Sequence, residues 1–600
     1  MRTHATRSEP PDERGSRGWV RHAPWLLAVG LLAVRLAEQA FVGGYELAAD
    51  EAQYWDWSRR LDLSYYTKGP GIAWAIAAST RLLGNAEWAV RLPSLLAWAG
   101  TVLVAAALAK RACGEAARRA TRERAAAFAA VFAVCCPVLF AVGQFATIDS
   151  PYLFFWAVSA GCVILALERA RAGRIGAGWW AAAGLAVGVS FLFKYTALLV
   201  LLGVVGASVM AIAWPRAATV RERVPPKRGM LIRCLLGWGV MLLAVAVAGL
   251  PVGWWNHVHG WPTVAHLLGH LGMKGGDLEV PAEPTGAGSG YQPVWTLSYL
   301  GTQLAIAGPG LWLLFASMTK RLVQKRSPTQ RLAAWTLWWL FVTPLVFYLV
   351  VTFFAEAEAN WPIAGYATAV ALAGAMAPRG WRRWKAMRRR WRSFPEPRPK
   401  WGLLRKSPET LWQTGWHWTL AWGGVAAVGV VLGPLLLQAT PGVEADRVLQ
   451  RVAGHEAWAD AIMRAVRSEL TEEQLADAAW ASDRYGEAAL LAYYLPTRPS
   501  VHSIESLAGG RESSYDYFAD TNLWRDELKG KPMIAVGSRA AKWRNTLRFE
   551  EMTRIYRIDD NDAVFLLKGY RGPQAPAPTR RYAPGIGEGL LSNRTTSDAG

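Results

Sequence analysis

Long apolar runs separated by short polar segments set the plan of this 600-residue chain. A helix that crosses a bilayer needs about 20 largely apolar residues, each rising about 1.5 Å. By that rule about eleven spans are expected, near residues 24–42, 88–109, 125–143, 151–167, 178–193, 195–214, 231–251, 295–316, 333–353, 361–377 and 417–437. Residues 178–214 could also be taken as one segment. Charge decides between the two: basic clusters at 110–124, 169–174, 216–233, 320–331 and 379–406 all fall on the cytoplasmic side with eleven spans and an inside N-terminus. Merging two spans would send the last three clusters outside, against the bias of Lys and Arg toward cytoplasmic loops.

This plan divides the chain into a cytoplasmic tail (1–23), a transmembrane domain (24–438) with a long first outer loop (43–87), an outer domain (440–572) and a tail (573–600). The first apolar run is long for a signal peptide and lacks a convincing cleavage site, so it is expected to remain as the first span. In the outer domain a helical pattern over 445–475 is followed by strand-like DAAWASD and a helix through Ala492. Short strands then follow at PSVHSI, KPMIAVGS, TRIYRI and DAVFLLKG. This alternation predicts a small α/β domain. The tail is rich in Pro, Gly and Ser and reads as disordered.

Composition supports a membrane protein. Hydrophobic residues make up 52% of the chain and tryptophans number 33, too apolar for a wholly water-exposed surface. The net charge of +21 lies mostly in short loops, not in a basic soluble module, so nucleic acid is not an expected partner. All five cysteines (113, 135, 136, 162 and 234) precede residue 440, so the outer domain has no disulfide.

Candidate chemistry collects in the segments expected outside: 43–87, 147–150, the Lys194 corner, 254–294, 355–360 and everything after 440. The first of these reads YELAADEAQYWDWSRRLDLSYYTKGPGIAWAI from Tyr45. Asp50 and Glu51 precede Tyr54, Trp55, Trp57 and Leu61, whose spacing suits a helix lying in the membrane interface. The acid pair could serve the chemistry or simply favour a helix start. Lys68 in YTKGPG could meet a lipid phosphate or snorkel among headgroups. Asp149 precedes Pro151 at a helix start. With Lys194, His259, Glu358 and Asn360, all map to one side of the membrane. Arg35 and Glu38, three apart in the first span, are expected to pair. No GxGxxG or P-loop occurs.

ADEAQYWDWSRRLDLSYYTKGPGIAW resembles the first-loop signature of the bacterial protein-mannosyltransferase and aminoarabinose-transferase superfamily. The likeness continues through FATIDSPYLFFW, GVSFLFKYTALLV, PVGWWNHVHGW, EANWPIAGY and ESSYDYF, in order along most of the chain. One departure is Gly69-Pro70, where relatives often carry Pro-Pro. The resemblance implies a mostly α membrane protein with the GT-C fold, interfacial helices in the first loop and a small outer α/β domain. It also implies transfer of a sugar from a polyprenyl-phosphate carrier to a hydroxyl of a protein, lipid or glycan, with inversion. Asp50 would be the base or orient the acceptor, with Glu51 its understudy or structural partner. Lys68 and Lys194 would neutralise the donor phosphate. Asp149 would hold sugar hydroxyls or a basic partner, and Tyr195, Asn256, His259, Glu358 and Asn360 would contact substrate. No cofactor is expected beyond the lipid-linked donor; a divalent ion is chemically possible, but the H-V-H at 257–259 is too common a spacing to mark a metal site. The expected location is the plasma (inner) membrane, with the N-terminus cytoplasmic and the C-terminal domain outside. A transporter or flippase for a lipid-linked substrate is the rival; it lacks support from any inverted repeat.

Overall fold

The structure, a computed structural model, describes residues 12–42, 45–114, 117–213, 227–270, 276–277, 291–324, 331–392, 408–438, 451–558 and 562–578. The expected tail beyond 578, much of the N-terminal tail and parts of the basic clusters at 216–233, 320–331 and 379–406 lie outside these residues.

All eleven apolar runs are helical, but they differ in length and continuity. Seven helices among the described residues are long and apolar enough to cross a membrane: Trp19–Phe41, Glu87–Ala112, Asp149–Arg171, Tyr195–Ala213, Arg228–His259, Leu332–Val351 and Gln413–Leu432. Pro293–Ala307 and Pro309–Lys320 form an eighth, bent by 96°. Gly308 at the bend has φ +81, a conformation side chains rarely adopt. The other three expected spans are shorter or broken. Ala177–Phe193 has 17 residues, and Ala364–Pro378 is likewise short. The run at 125–143 breaks between Arg119–Val134 and Pro137–Ala141, where Pro137 lacks the amide needed to continue the helix. A β-carbon on Gly184 would sit 2.3 Å from the Met241 carbonyl oxygen, so the helix carrying it lies backbone to backbone on Lys227–His259.

Arg35 and Glu38 do not pair. Arg35 donates to the Phe140 carbonyl at 2.8 Å and lies 4.3 and 4.0 Å from the ring centres of Trp98 and Phe140. Glu38 instead accepts from Gln144. The helix widens into a π turn at Glu38–Val42, which breaks the stacking of positions three apart.

The first loop forms α1 (Ala49–Arg59) and, after the Lys68 turn, α2 (Gly71–Leu83). The helix at 49–59 is present as expected, but its aromatic face is not at a lipid interface. Tyr54, Trp55 and Trp57 are buried in protein. Trp57 stacks on Tyr65 with ring centres 4.5 Å apart. Trp55 donates to Asn85 at 2.8 Å and meets the Tyr493 ring edge-on at 4.9 Å. The cause is the outer domain, which covers the helix and supplies the apolar partners expected of the membrane.

That domain has a five-stranded sheet in the order β2 (Val501–Ser503), β1 (Ala479–Ser482), β3 (Met533–Gly537), β6 (Ala563–Lys568) and β5 (Glu551–Arg557). β2–β1–β3 are parallel, and β6 and β5 antiparallel. The five strands sit where the pattern placed strands. A separate pair, β4 (Leu547–Arg548) and β7 (Gly572–Pro573), extends ordered structure past the expected boundary at 572.

Docking of this domain is polar and specific. Asp56, wholly buried in α1, accepts from the Tyr515 hydroxyl at 2.9 Å and pairs with Arg60 at 2.7 Å. Arg60 also pairs with Asp520, which accepts from Ser500. Flanking carboxylates hold the Arg60 guanidinium charged despite its burial. The Tyr494 hydroxyl donates to Glu87 and accepts from the Leu47 amide. Removing the Tyr515 hydroxyl withdraws a partner from a buried carboxylate. Tyr515→Phe is therefore expected to destabilise the docked domain by about 1–3 kcal/mol, read as a lower melting temperature and faster hydrogen exchange over 49–59. Unchanged protection there would show that the domain is held by other contacts.

Candidate active site

Asp50 and Glu51 are neighbours on α1, so their side chains diverge by about 100° around the helix. Glu51 turns inward and is saturated. Its two oxygens meet Arg91 Nε and Nη2, each at 2.8 Å. The same carboxylate accepts the Ala48 amide at 3.0 Å, closing the helix start, and the Ala146 amide from the loop before Asp149. Arg91 spends its remaining donors on the carbonyls of Tyr45 and Glu46. Both partners are almost fully buried. Glu51 thus has the geometry of a structural partner. Asp50, by contrast, is exposed and has neither hydrogen bond nor ion pair among the described residues.

Lys68 stands at the end of a tight turn: the Tyr65 amide donates to its carbonyl at 3.1 Å, and the Ser64 hydroxyl at 3.4 Å. Gly69 lets this turn seat on the end of the Ala177–Phe193 helix. Any β-carbon there would fall 2.2 Å from the Leu192 carbonyl oxygen, two residues before Lys194. The Lys68 ammonium is partly buried and unpartnered among the described residues. Burial pushes its pKa below the ordinary lysine range, Lys194 and Arg511 push the same way, and Asp50 and Asp149 oppose them. Asp149 and Lys194 form a pair at 2.8 Å, with Lys194 also 3.5 Å from the Asn360 carbonyl. Tyr54 joins the two carboxylate positions: burial first, then the charges of Asp50 and Asp149, raise its phenol well above the ordinary value.

Asp50, Lys68, Asp149 and Lys194 therefore gather within electrostatic reach of Lys68 at one end of the bundle, referred to below as the opening. The remaining expected residues surround it differently. The Tyr195 hydroxyl is 3.2 Å from Ser64 and braces the Lys68 turn. Asn256 is buried and ties the end of one helix to the Thr263 amide at 3.2 Å. His259 bonds the Trp255 carbonyl at 2.8 Å and stacks on the Trp255 ring at 4.2 Å. The Glu358 and Asn360 side chains are exposed. Among the described residues no three His, Cys, Asp or Glu side chains gather as a metal-binding group would require.

Residues that sequence reasoning passed over complete the wall. Arg91 carried a usable signal, a charge one turn inside an apolar run. Tyr485 and Arg511 of the outer domain carried none; only tertiary docking brings them within electrostatic reach of Asp50 and Lys68.

Residues 67–241, which include Lys68, Asp149, Lys194 and Tyr195 but not Asp50, match the family model of dolichyl-phosphate-mannose-protein mannosyltransferase. The chain superposes on ArnT from Cupriavidus metallidurans bound to undecaprenyl phosphate with a TM-score of 0.52 at 18% identity, covering 92% of this chain and 98% of that one. The chain has the GT-C fold. The apo form of the same protein gives a TM-score of 0.50 at 17% identity over the same shares. The lipid A galacturonosyltransferase RgtD of Rhizobium johnstonii is 29% identical over 327 residues, 54% of this chain. That match spans 59% of the relative's length. The GT-C assignment agrees with the order of motifs along the chain and with a multi-pass membrane protein.

The Glu51–Arg91 pair makes a direct prediction. Glu51→Ala strands a buried guanidinium, which typically costs about 3–5 kcal/mol. Purified Glu51→Ala protein should melt at clearly lower temperature than the parent; equal melting would mean that the pair does not anchor α1.

Proposed function

We propose that this protein transfers a sugar from a polyprenyl-phosphate carrier to a hydroxyl acceptor on the outer face of the plasma (inner) membrane, with inversion at the anomeric carbon. One observation carries the reading: the carboxylate of Asp50 and the ammonium of Lys68 act on each other with neither hydrogen bond nor ion pair among the described residues, while Glu51, Asp149 and Lys194 beside them are paired. A free base and a free cation are what the displacement uses.

The acceptor oxygen attacks the anomeric carbon as its proton passes to Asp50. The bond from that carbon to the phosphate oxygen breaks, and the carrier phosphate leaves with the electron pair. Lys68 meets the charge that grows on that phosphate, in a site where burial strengthens the interaction. The Asp149–Lys194 pair, at 2.8 Å, brings little net charge but offers the sugar hydroxyls a carboxylate oxygen and an ammonium to bond. No resident cofactor enters this displacement.

The orientation rests on charge: the basic clusters of the inner loops place the N-terminus in the cytoplasm and the outer domain on the far side. The name of the relative RgtD supports a lipid acceptor and a uronosyl donor as the first substrates to try.

Two measurements test the reading. With a polyprenyl-phosphate sugar and membrane extract as acceptor, Asp50→Asn should lower transfer by about 10²–10⁴-fold while donor binding survives; full activity in this variant would sink the role of Asp50. Lys68 is protonated below its lowered pKa and loses charge as pH rises through it. Transfer should therefore decline on the alkaline side at a pH below the ordinary lysine range, about 10.4. In Lys68→Arg, which stays charged, that decline should move to higher pH, and an alkaline limb that does not move would assign it to another group.

A further inference from the structure

Two cations, not one, lie in this region, Lys68 and Arg511. Arg511 is partly buried and, like Lys68, has neither hydrogen bond nor ion pair among the described residues. The segment that carries it is fixed on both sides. Upstream, the Gly510 amide donates to the Glu505 carbonyl at 2.9 Å, and the Glu505 carboxylate accepts the Tyr485 amide at 2.9 Å. Downstream, Ser513 donates to Asp516 at 2.7 Å, Tyr515 reaches Asp56, and the Tyr517 ring stacks on Tyr66 with centres 5.5 Å apart. Tyr66 is two residues from Lys68. Arg511 is thus placed by the outer domain against the first loop, where its charge acts on Tyr66, Lys68 and Tyr485.

Lys68 and Arg511 disfavour each other's charge; Asp50 and Asp149 offset this at Lys68, and Arg511 also acts on Asp277, but none of these carboxylates makes a direct contact with either cation among the described residues, so an anion that reaches one directly is favoured. A polyprenyl-phosphate sugar is a phosphodiester with a single negative charge, and Lys68 suffices for it. The second cation is a guanidinium, whose planar fork suits a carboxylate held through two parallel hydrogen bonds. We propose that Arg511 binds a carboxylate of the donor sugar and so selects a uronosyl donor over a neutral hexosyl one. This rests on the transfer reading above and adds a specificity residue supplied by the outer domain.

Full-length protein in lipid nanodiscs would be titrated with undecaprenyl phosphate, undecaprenyl-phosphate galacturonic acid and undecaprenyl-phosphate galactose. The parent should prefer the galacturonic acid donor to the galactose donor. Arg511→Gln should bind the galacturonic acid donor roughly tenfold or more weakly with binding of the other two lipids unchanged, and Arg511→Lys should fall between. Because Arg511 makes no hydrogen bond or ion pair among the described residues, the variants should melt as the parent does. Equal weakening toward all three lipids would place Arg511 on the phosphate and overturn the proposal, as would no change at all. If the parent fails to bind undecaprenyl phosphate itself, the transfer reading falls and takes this one with it. Parent binding of the carrier without preference between the two sugars would overturn the Arg511 assignment alone.

Discussion

The bidentate contact between Glu51 and Arg91 is the constraint on which the site depends. It joins the first outer loop to the Glu87–Ala112 span, and through the Ala146 amide it also touches the turn before Asp149. Three segments far apart in sequence are thereby held by one carboxylate. A buried pair of this kind gains little over an apolar contact of the same shape, but each half is costly without the other. Its consequence is directional. Once Glu51 is turned inward, helical geometry leaves Asp50 about 100° away, on the face that looks into the opening.

The difference between adjacent acids explains how much of the site could be read from sequence. The acid pair, both lysines and Asp149 were legible because polar residues beside apolar runs stand out and because topology put them on one side. Which acid was free was not legible, since that depends on Arg91, forty positions away. Nor could the pattern tell that the aromatic face of α1 would be covered by protein. Tyr54, Trp55 and Trp57 have the same spacing whether they meet lipid or the outer domain. Helix length was not legible for a related reason: hydropathy cannot distinguish a long straight helix from a shorter one packed on neighbours, as Gly184 on the Met241 backbone shows.

The outer domain is more than a cover. Its docking buries Asp56, a carboxylate that would be costly without Arg60 and Tyr515, so the interface is specific by necessity. The same docking holds the 505–517 segment over the first loop. A domain attached by apolar contacts alone could slide; one attached through a satisfied buried acid has a single register. That register determines which outer-domain side chains border the opening.

Electrostatic balance in the opening then follows from partner arithmetic. Asp149 neutralises Lys194, and Arg91 neutralises Glu51, so neither pair offers much net charge to a ligand. Asp50, Lys68 and Arg511 remain without a direct partner among the described residues, one acid and two bases. Burial has already lowered the proton affinity of Lys68, so an arriving phosphate restores the charge that desolvation disfavours. Donor binding and Lys68 protonation are therefore linked, each strengthening the other. A neutral ligand would gain nothing from that linkage, which favours anions at Lys68 before any sugar contact is considered.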